Sequence, residues 1–245
     1  KRLCSHSDEH PACGTGQGSA GSMAFWLLIS AILFGIMSRI AHGLQHSHPL
    51  GTETHSRTME GFVDDTGVAV NDPNRQHSPE QLVQLLQTDA QHWERLLFIS
   101  GGKLELNKCF FHMLTWQFSD DGTPSLTPKA QLPYPLMIAQ GNDAQPTEIK
   151  HKDCSESHKT LGVMKAPNQS QVGEIKRLHN KCNTHAQAML SNSVTSSDST
   201  IACRTCHLTS IGCSLSTTCI TREALTKTQG RAVSAFLATS GCNRN

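Results

Sequence analysis

Residues 23–37, "MAFWLLISAILFGIM", form an apolar run interrupted only by Ser30 and Gly35. As an α-helix it would be about 22 Å long, short of the roughly 30 Å hydrocarbon core of a bilayer. It also lies too far from Lys1 and Arg2 to have the charged start of a signal peptide. The reading is a core helix, buried by the rest of the chain. The Gly/Ser-rich stretch "GTGQGSAGS" (14–22) would lead into it, with Ser22 as N-cap. At 245 residues and 37% hydrophobic content, the chain can build one large domain or two small ones.

Further along, "EGFVDDTGVAV" (60–70) reads as two short strands around a tight turn, with Asp64 and Asp65 at the hairpin tip. Residues 78–99 read as a helix. Ser78-Pro79-Glu80-Gln81 combines an N-cap, Pro at the first helical position and a capping-box Gln. Leu82, Leu86, Trp93 and Leu97 recur on one face, with Leu85, Ala90 and Leu96 beside it, and Gly101–Gly102 ends the helix. "KLELNKCFFHMLTWQF" (103–118) reads as strand material up to the turn "SDDGTP", whose Asp120–Asp121 pair reads as solvated turn carboxylates. Residues 140–159 read as a polar insertion, and "TLGVMK" (160–165) as a short strand. A helix is expected over 168–190, with Val172, Ile175, Leu178, Cys182 and Met189 at helical spacing. A linker "SVTSSDST" (193–200) follows. The last helix, 221–238, would turn Leu225, Val233, Phe236 and Leu237 inward, and no internal repeat is present.

The formal net charge is +1, but residues 1–149 carry 9 Lys/Arg against 15 Asp/Glu, and residues 150–245 carry 12 against 5. An acidic half joined to a basic half suits a metal or polyanion partner better than the total does. The ten cysteines are scattered over a long chain, which points to reduced thiols inside a cell, with nucleus or cytoplasm left open.

A carboxylate pair repels itself, and a divalent metal is the usual compensation. The surrounding order of motifs carries the interpretation further. "GTGQGSAGSMAFWLLISAIL" resembles motif B of retroelement reverse transcriptases, and "GFVDD" resembles their motif C. "SGGKLELNKC" is similar to motif D, and "KTLGV" to motif E, the primer grip. The tail from "EIKRLHNKC" to "FLATSGCNRN" is similar to the helical segment after the palm in a retrotransposon subgroup. The resemblance implies an α/β (α+β) fold: a palm-like antiparallel sheet with packed helices over 1–165, then a mainly helical, thumb-like segment over 166–245.

The same resemblance implies RNA-directed DNA synthesis through two-metal nucleotidyl transfer, with Mg²⁺ or Mn²⁺, an RNA template, a DNA primer and dNTPs, and no membrane. Carried over by position, Asp64 is the principal metal ligand and Asp65 its weaker partner. Lys108 would stand near the departing pyrophosphate. Gln17 and Gly18 would line the nucleotide and template pocket, where Gly admits close backbone approach. Leu161 and Gly162 would support the primer. Lys159, Lys165, Lys176, Arg177 and Lys181 would meet nucleic-acid phosphates.

The family takes a further metal-binding Asp from a strand ahead of motif B. Residues 1–13 hold Asp8 in a polar run without strand character. The 245 residues are therefore expected not to polymerise alone. Met23 stands where family members often have Pro, and His207 and Cys213 stand where aromatic residues are expected. These departures suit a degenerate, non-catalytic relic of a mobile element. Two other readings rest on "CRTCH" (203–207): a c-type haem attachment, and a zinc site that would add Cys213 and Cys219.

Overall fold

The computed structural model describes residues 21–48, 53–62, 65–141, 145–191 and 194–241. It is a mixed α/β structure of small, mostly antiparallel sheets with packed helices. The chain divides into two compact units. One holds residues 1–115 and 129–152, and the other holds 116–128 and 153–245. The sequence-based division at 165 falls inside the second unit.

In the first unit, α1 (Ser22–Ile40) starts one residue earlier than expected. Gly21 is its N-cap, without a side-chain cap, so Ser22 does not play that part. Two strand pairs follow, β1 (Leu44–Ser47) with β2 (Thr54–Arg57) and β3 (Met59–Phe62) with β4 (Asp65–Val68), both antiparallel. Helix α2 (Pro79–Ile99) starts at the expected capping box, with both Ser78 and Gln81 bonds formed. Its end is a Schellman motif. Gly101 sits at φ +82°, and the N–H groups of Gly101 and Gly102 bond back to the carbonyls of Phe98 and Leu97.

The remaining sheet of this unit departs from the expected strand plan. Residues 106–108 are a turn, and the strand β5 is only Phe110–His112. The stretch read as a polar insertion contains β9 (Thr147–Lys152), the centre of a three-stranded sheet. β9 pairs parallel with β5 and antiparallel with β8 (Leu136–Ile138). The signal was hidden because β9 buries one side chain fully, Ile149, between Glu148 and Lys150. β8 is an edge strand, and α2 satisfies its free groups. Gln87 Oε1 accepts the Met137 N–H, and Gln91 bonds both the N–H and the carbonyl of Ala139.

α2 serves two apolar clusters. Val83, Leu86 and Ala90 face Phe111, Leu136, Ile138 and Ile149. Trp93 and Leu97 face Leu33 and Met37 of α1. Buried Asp89 secures the exit of α1: it accepts the His42 N–H at 3.0 Å, and His42 Nδ1 lies 2.8 Å from the same carboxylate.

α1 corrects a second expectation. Among its described side chains only Ser30, Leu33 and Met37 are buried, while Met23 (81%), Leu27 (70%) and Leu28 (61%) lead a broad exposed apolar stripe. At 19 residues the helix is about 28 Å long. Met23–Ile40 is long and apolar enough to cross a membrane. The helix extends beyond the apolar run through Ser38, Arg39 and Ile40.

In the second unit, β6 (Trp116–Phe118) and β7 (Pro124–Leu126) form a hairpin around the Asp120–Asp121 turn. Residues read as one strand, "TLGVMK", are instead the second half of a hairpin, β10 (His158–Thr160) and β11 (Val163–Lys165), with Leu161 and Gly162 as its two-residue turn. The rest is helical: α3 (Val172–Ser191), α4 (Ser196–Ala202), a π-helical turn (Cys203–Leu208), α5 (Thr209–Leu215) and α6 (Arg222–Thr239). α4 occupies the expected linker. Its Thr195–Asp198 capping box explains why a Ser/Thr-rich run starts a helix there. Leu178, Cys182, Ala186 and Met189 of α3 pack with Ile211, Ala232 and Ala235. Val233, expected inward, is 43% exposed, and Val172, at apolar helical spacing, is 71% exposed; small residues, Ala232 and Ala235, take the buried face of α6.

Candidate functional site

The first candidate is the β3–β4 hairpin. Phe62 pairs with Asp65, so only residues 63 and 64 connect the strands. Asp65 opens β4 and is exposed. Val63 and Asp64 lie outside the described residues, as do Gln17 and Gly18. The hairpin is seated by a missing side chain. At Gly61 a Cβ would collide with the Phe34 ring of α1, which in turn packs against Trp93 of α2 at 5.6 Å between centroids. Met59 joins the same cluster. The strand pair that carries Asp65 is thus held by both α1 and α2.

The comparison turn behaves differently. Asp121 accepts the Ser119 hydroxyl at 2.6 Å and the Thr123 N–H at 2.9 Å. The Ser119 hydroxyl, then the Thr123 N–H, pulls its carboxyl down to about 2. Its oxygens are thus engaged in holding the β6–β7 turn, as the sequence suggested.

Lys108 is exposed in the turn before β5, where its N–H bonds the Glu105 carbonyl. Leu161 and Gly162 occupy the tip of the β10–β11 hairpin, both left-handed at φ +49° and +85°. This is the backbone of a tight hairpin turn, which glycine accepts and leucine resists.

The expected basic run does not form one patch. In the β10–β11 register Lys159 opposes Met164 and Lys165 opposes His158, so the two lysines project from opposite faces of the hairpin. Arg177 is engaged elsewhere. Its Nε and Nη2 grip buried Glu174 at 2.8 and 2.5 Å, while Glu174 also accepts the Met164 N–H at 2.8 Å. Burial alone would raise the Glu174 carboxyl, but Arg177 and the Met164 N–H outweigh it and hold it below the usual range. Glu174, not Arg177, therefore joins α3 to β11, and Arg177 balances its charge. Lys181 stands five residues beyond Lys176, roughly 140° around the helix.

Lys176 does have cationic company. It lines an open groove of about 390 Å³ between α3 and α6, with His179 and Lys227 beside it and Val172, Ile175 and Ala224 among its apolar lining. His179 and Lys227 were missed in the sequence. Val172, Ile175, Lys176 and His179 fall at helical spacing, but only the structure brings α6 alongside.

"CRTCH" forms the π-helical turn. Cys206 is exposed, Cys203 half-buried, and the side chain of Cys213 lies outside the described residues. Among the described residues no three His, Cys, Asp or Glu side chains converge as a metal-holding group. Compared with known proteins, the chain matches no family model, no curated protein and no solved structure.

Proposed function

We propose that this chain is part of a retroelement reverse transcriptase: the palm from motif B to motif E, followed by a helical segment that grips nucleic acid. The parent activity is RNA-directed DNA synthesis. The observation that carries this reading is the β3–β4 hairpin, in which two residues separate Phe62 from Asp65 on a mount built from α1 and α2.

The donor set suits a hard divalent cation, because carboxylate oxygens that leave room for water are what Mg²⁺ and Mn²⁺ accept. Asp64 and Asp65 would hold the ion, which when bound stabilises charge on the attacking and leaving oxygens of an in-line phosphoryl displacement. Asp65, at the first position of β4, orients from a strand rather than a loop. Lys108 is a mobile cation for the departing pyrophosphate. The Leu161–Gly162 tip supports the primer strand, and Gln17 with Gly18 lines the nucleotide pocket. A third carboxylate, from a strand ahead of motif B, completes the family's metal site.

Nucleic-acid contact is assigned to the α3–α6 groove. Lys176 and Lys227 flank an apolar floor, and each phosphate contact releases counterions. The test is fluorescence anisotropy with a labelled RNA–DNA heteroduplex at 50 to 200 mM salt. Binding that weakens steeply with salt, and a further tenfold or more in Lys176→Glu/Lys227→Glu, is expected. Binding unchanged in that variant, or no binding at micromolar protein, contradicts the assignment.

A further inference from the structure

We propose that His46 and His55 form a two-imidazole site for a borderline divalent cation of the Zn²⁺ class, closed across the β1–β2 ribbon. Four of the 14 histidines fall within residues 42–55, and a short His-rich tract is a recurrent metal-binding composition. The strand register then selects two of them. His46 of β1 lies directly opposite His55 of β2. Opposed residues of an antiparallel pair project from one face, with Cβ atoms about 4.5–5.5 Å apart. Zn²⁺ bonds an imidazole nitrogen at about 2.0–2.1 Å. Two rings at that spacing therefore reach one ion by side-chain rotation, with the backbone as it stands.

The rest of that face agrees with a cation. Glu53 lies two residues before His55, and its Oε2 stands 3.8 Å from His55 Nε2. The His48 N–H bonds the Glu53 carbonyl at 3.3 Å, which continues the register one pair beyond Ser47–Thr54. His48 and Glu53 thus oppose each other on the same face as the pair. Arg57, two residues after His55, has its guanidinium paired with Glu60. His42 is committed to α2, with its Nδ1 2.8 Å from Asp89 Oδ1. Among the described residues no three such side chains converge. The pair is therefore a two-nitrogen site whose remaining positions are left to water.

The ribbon is also where a bridge has an effect. β2 is exposed along its whole length and β1 at three of its four positions. None of the described apolar clusters includes a ribbon residue. A two-stranded ribbon without a packed face is marginal in water. Asn71 braces its base: Oδ1 accepts the Gln45 N–H at 2.7 Å, and Nδ2 donates to the Gln45 carbonyl at 2.8 Å. His46–His55 is the next pair outward, and an ion there joins the strands beyond that brace. Nitrogen ligands fix the class of ion as well. Imidazole favours Zn²⁺, Ni²⁺ and Cu²⁺ over Mg²⁺ and Mn²⁺. This pair and the carboxylates of the β3–β4 hairpin therefore select different cations.

The test uses the whole chain at about pH 7.5, where ordinary imidazoles are neutral. Long-range ¹H–¹⁵N spectra of the imidazole rings are followed as ZnCl₂ is added, beside amide exchange of β1 and β2. Reading each ring separately keeps this pair distinct from zinc taken up by cysteines. The rings of His46 and His55 should shift together, with one midpoint below about 100 µM Zn²⁺. At ten times the midpoint concentration, amide protection in β1 and β2 should rise about tenfold. Millimolar Mg²⁺ should do neither. In His46→Gln the zinc midpoint of His55 should rise tenfold or more. Both side chains lie outside the apolar clusters, so the variant keeps its fold. Rings that shift separately or not at all, unchanged ribbon protection, an equal response to Mg²⁺, or a His55 midpoint unaltered in His46→Gln each overturns the proposal.

Discussion

Leu161 occupies a backbone state that costs an L-residue roughly 1–2 kcal/mol. Its φ is +49° and its side chain is 56% exposed, so no packing offsets the strain. Leu161→Gly should raise stability by about 1 kcal/mol, measured as a higher urea midpoint. If the side chain supports a primer, the same change weakens heteroduplex binding, and the two effects separate. Gly61 is the opposite case. Gly61→Ala puts a Cβ into the Phe34 ring and should cost about 1–3 kcal/mol by overpacking. Arg177→Met leaves fully buried Glu174 without its cation and should cost about 3 kcal/mol or more. The pH dependence gives the sign. In the wild type the Glu174 carboxyl is held below 4.5, so its contribution is present above that value and lost as pH falls through the lowered one. Without Arg177, burial dominates and raises the carboxyl. The variant then gains stability on acidification from pH 7 to 5, where the wild type does not. Chemical unfolding at both pH values distinguishes the two.

At the scale of elements, α1 and α2 show what sequence reading reaches. α2 was legible from end to end, because Ser78, Gln81 and Gly101 act within one turn of their own helix. The β3–β4 hairpin was legible for the same reason. β9 was not, because Lys150 and Lys152 gain their place from pairing with β5, some 40 residues away. The groove residues His179 and Lys227 were hidden likewise, since they meet only through α3–α6 packing. α1 was legible as a helix but not in its burial. Leu33 and Met37 meet Trp93 and Leu97, while Leu27, Leu28 and Ile32 are exposed. Burial on one face and exposure on the other predict unequal effects. Leu33→Ala should cost about 2–5 kcal/mol, whereas Leu28→Gln should leave the unfolding midpoint within about 0.5 kcal/mol and raise solubility. Equal losses in both variants would mean that the exposed stripe is packed in solution.

For the whole molecule, the β3–β4 hairpin belongs to the first unit and the α3–α6 groove to the second. The two Asp pairs make the central claim testable within one chain. Asp65 opens β4 of a strand pair that packs on α1 and α2, while Asp121 is already occupied by Ser119 and Thr123. The most direct measurement is Mn²⁺ paramagnetic broadening of amide signals, in the wild type and in Asp64→Asn/Asp65→Asn. The account predicts broadening centred on Gly61, Phe62, Asp65 and Thr66 at up to millimolar Mn²⁺, absent in the variant, with the Asp120–Asp121 turn unaffected. Broadening at both turns alike, or none at the β3–β4 hairpin, would contradict it and make the pair a turn without a metal.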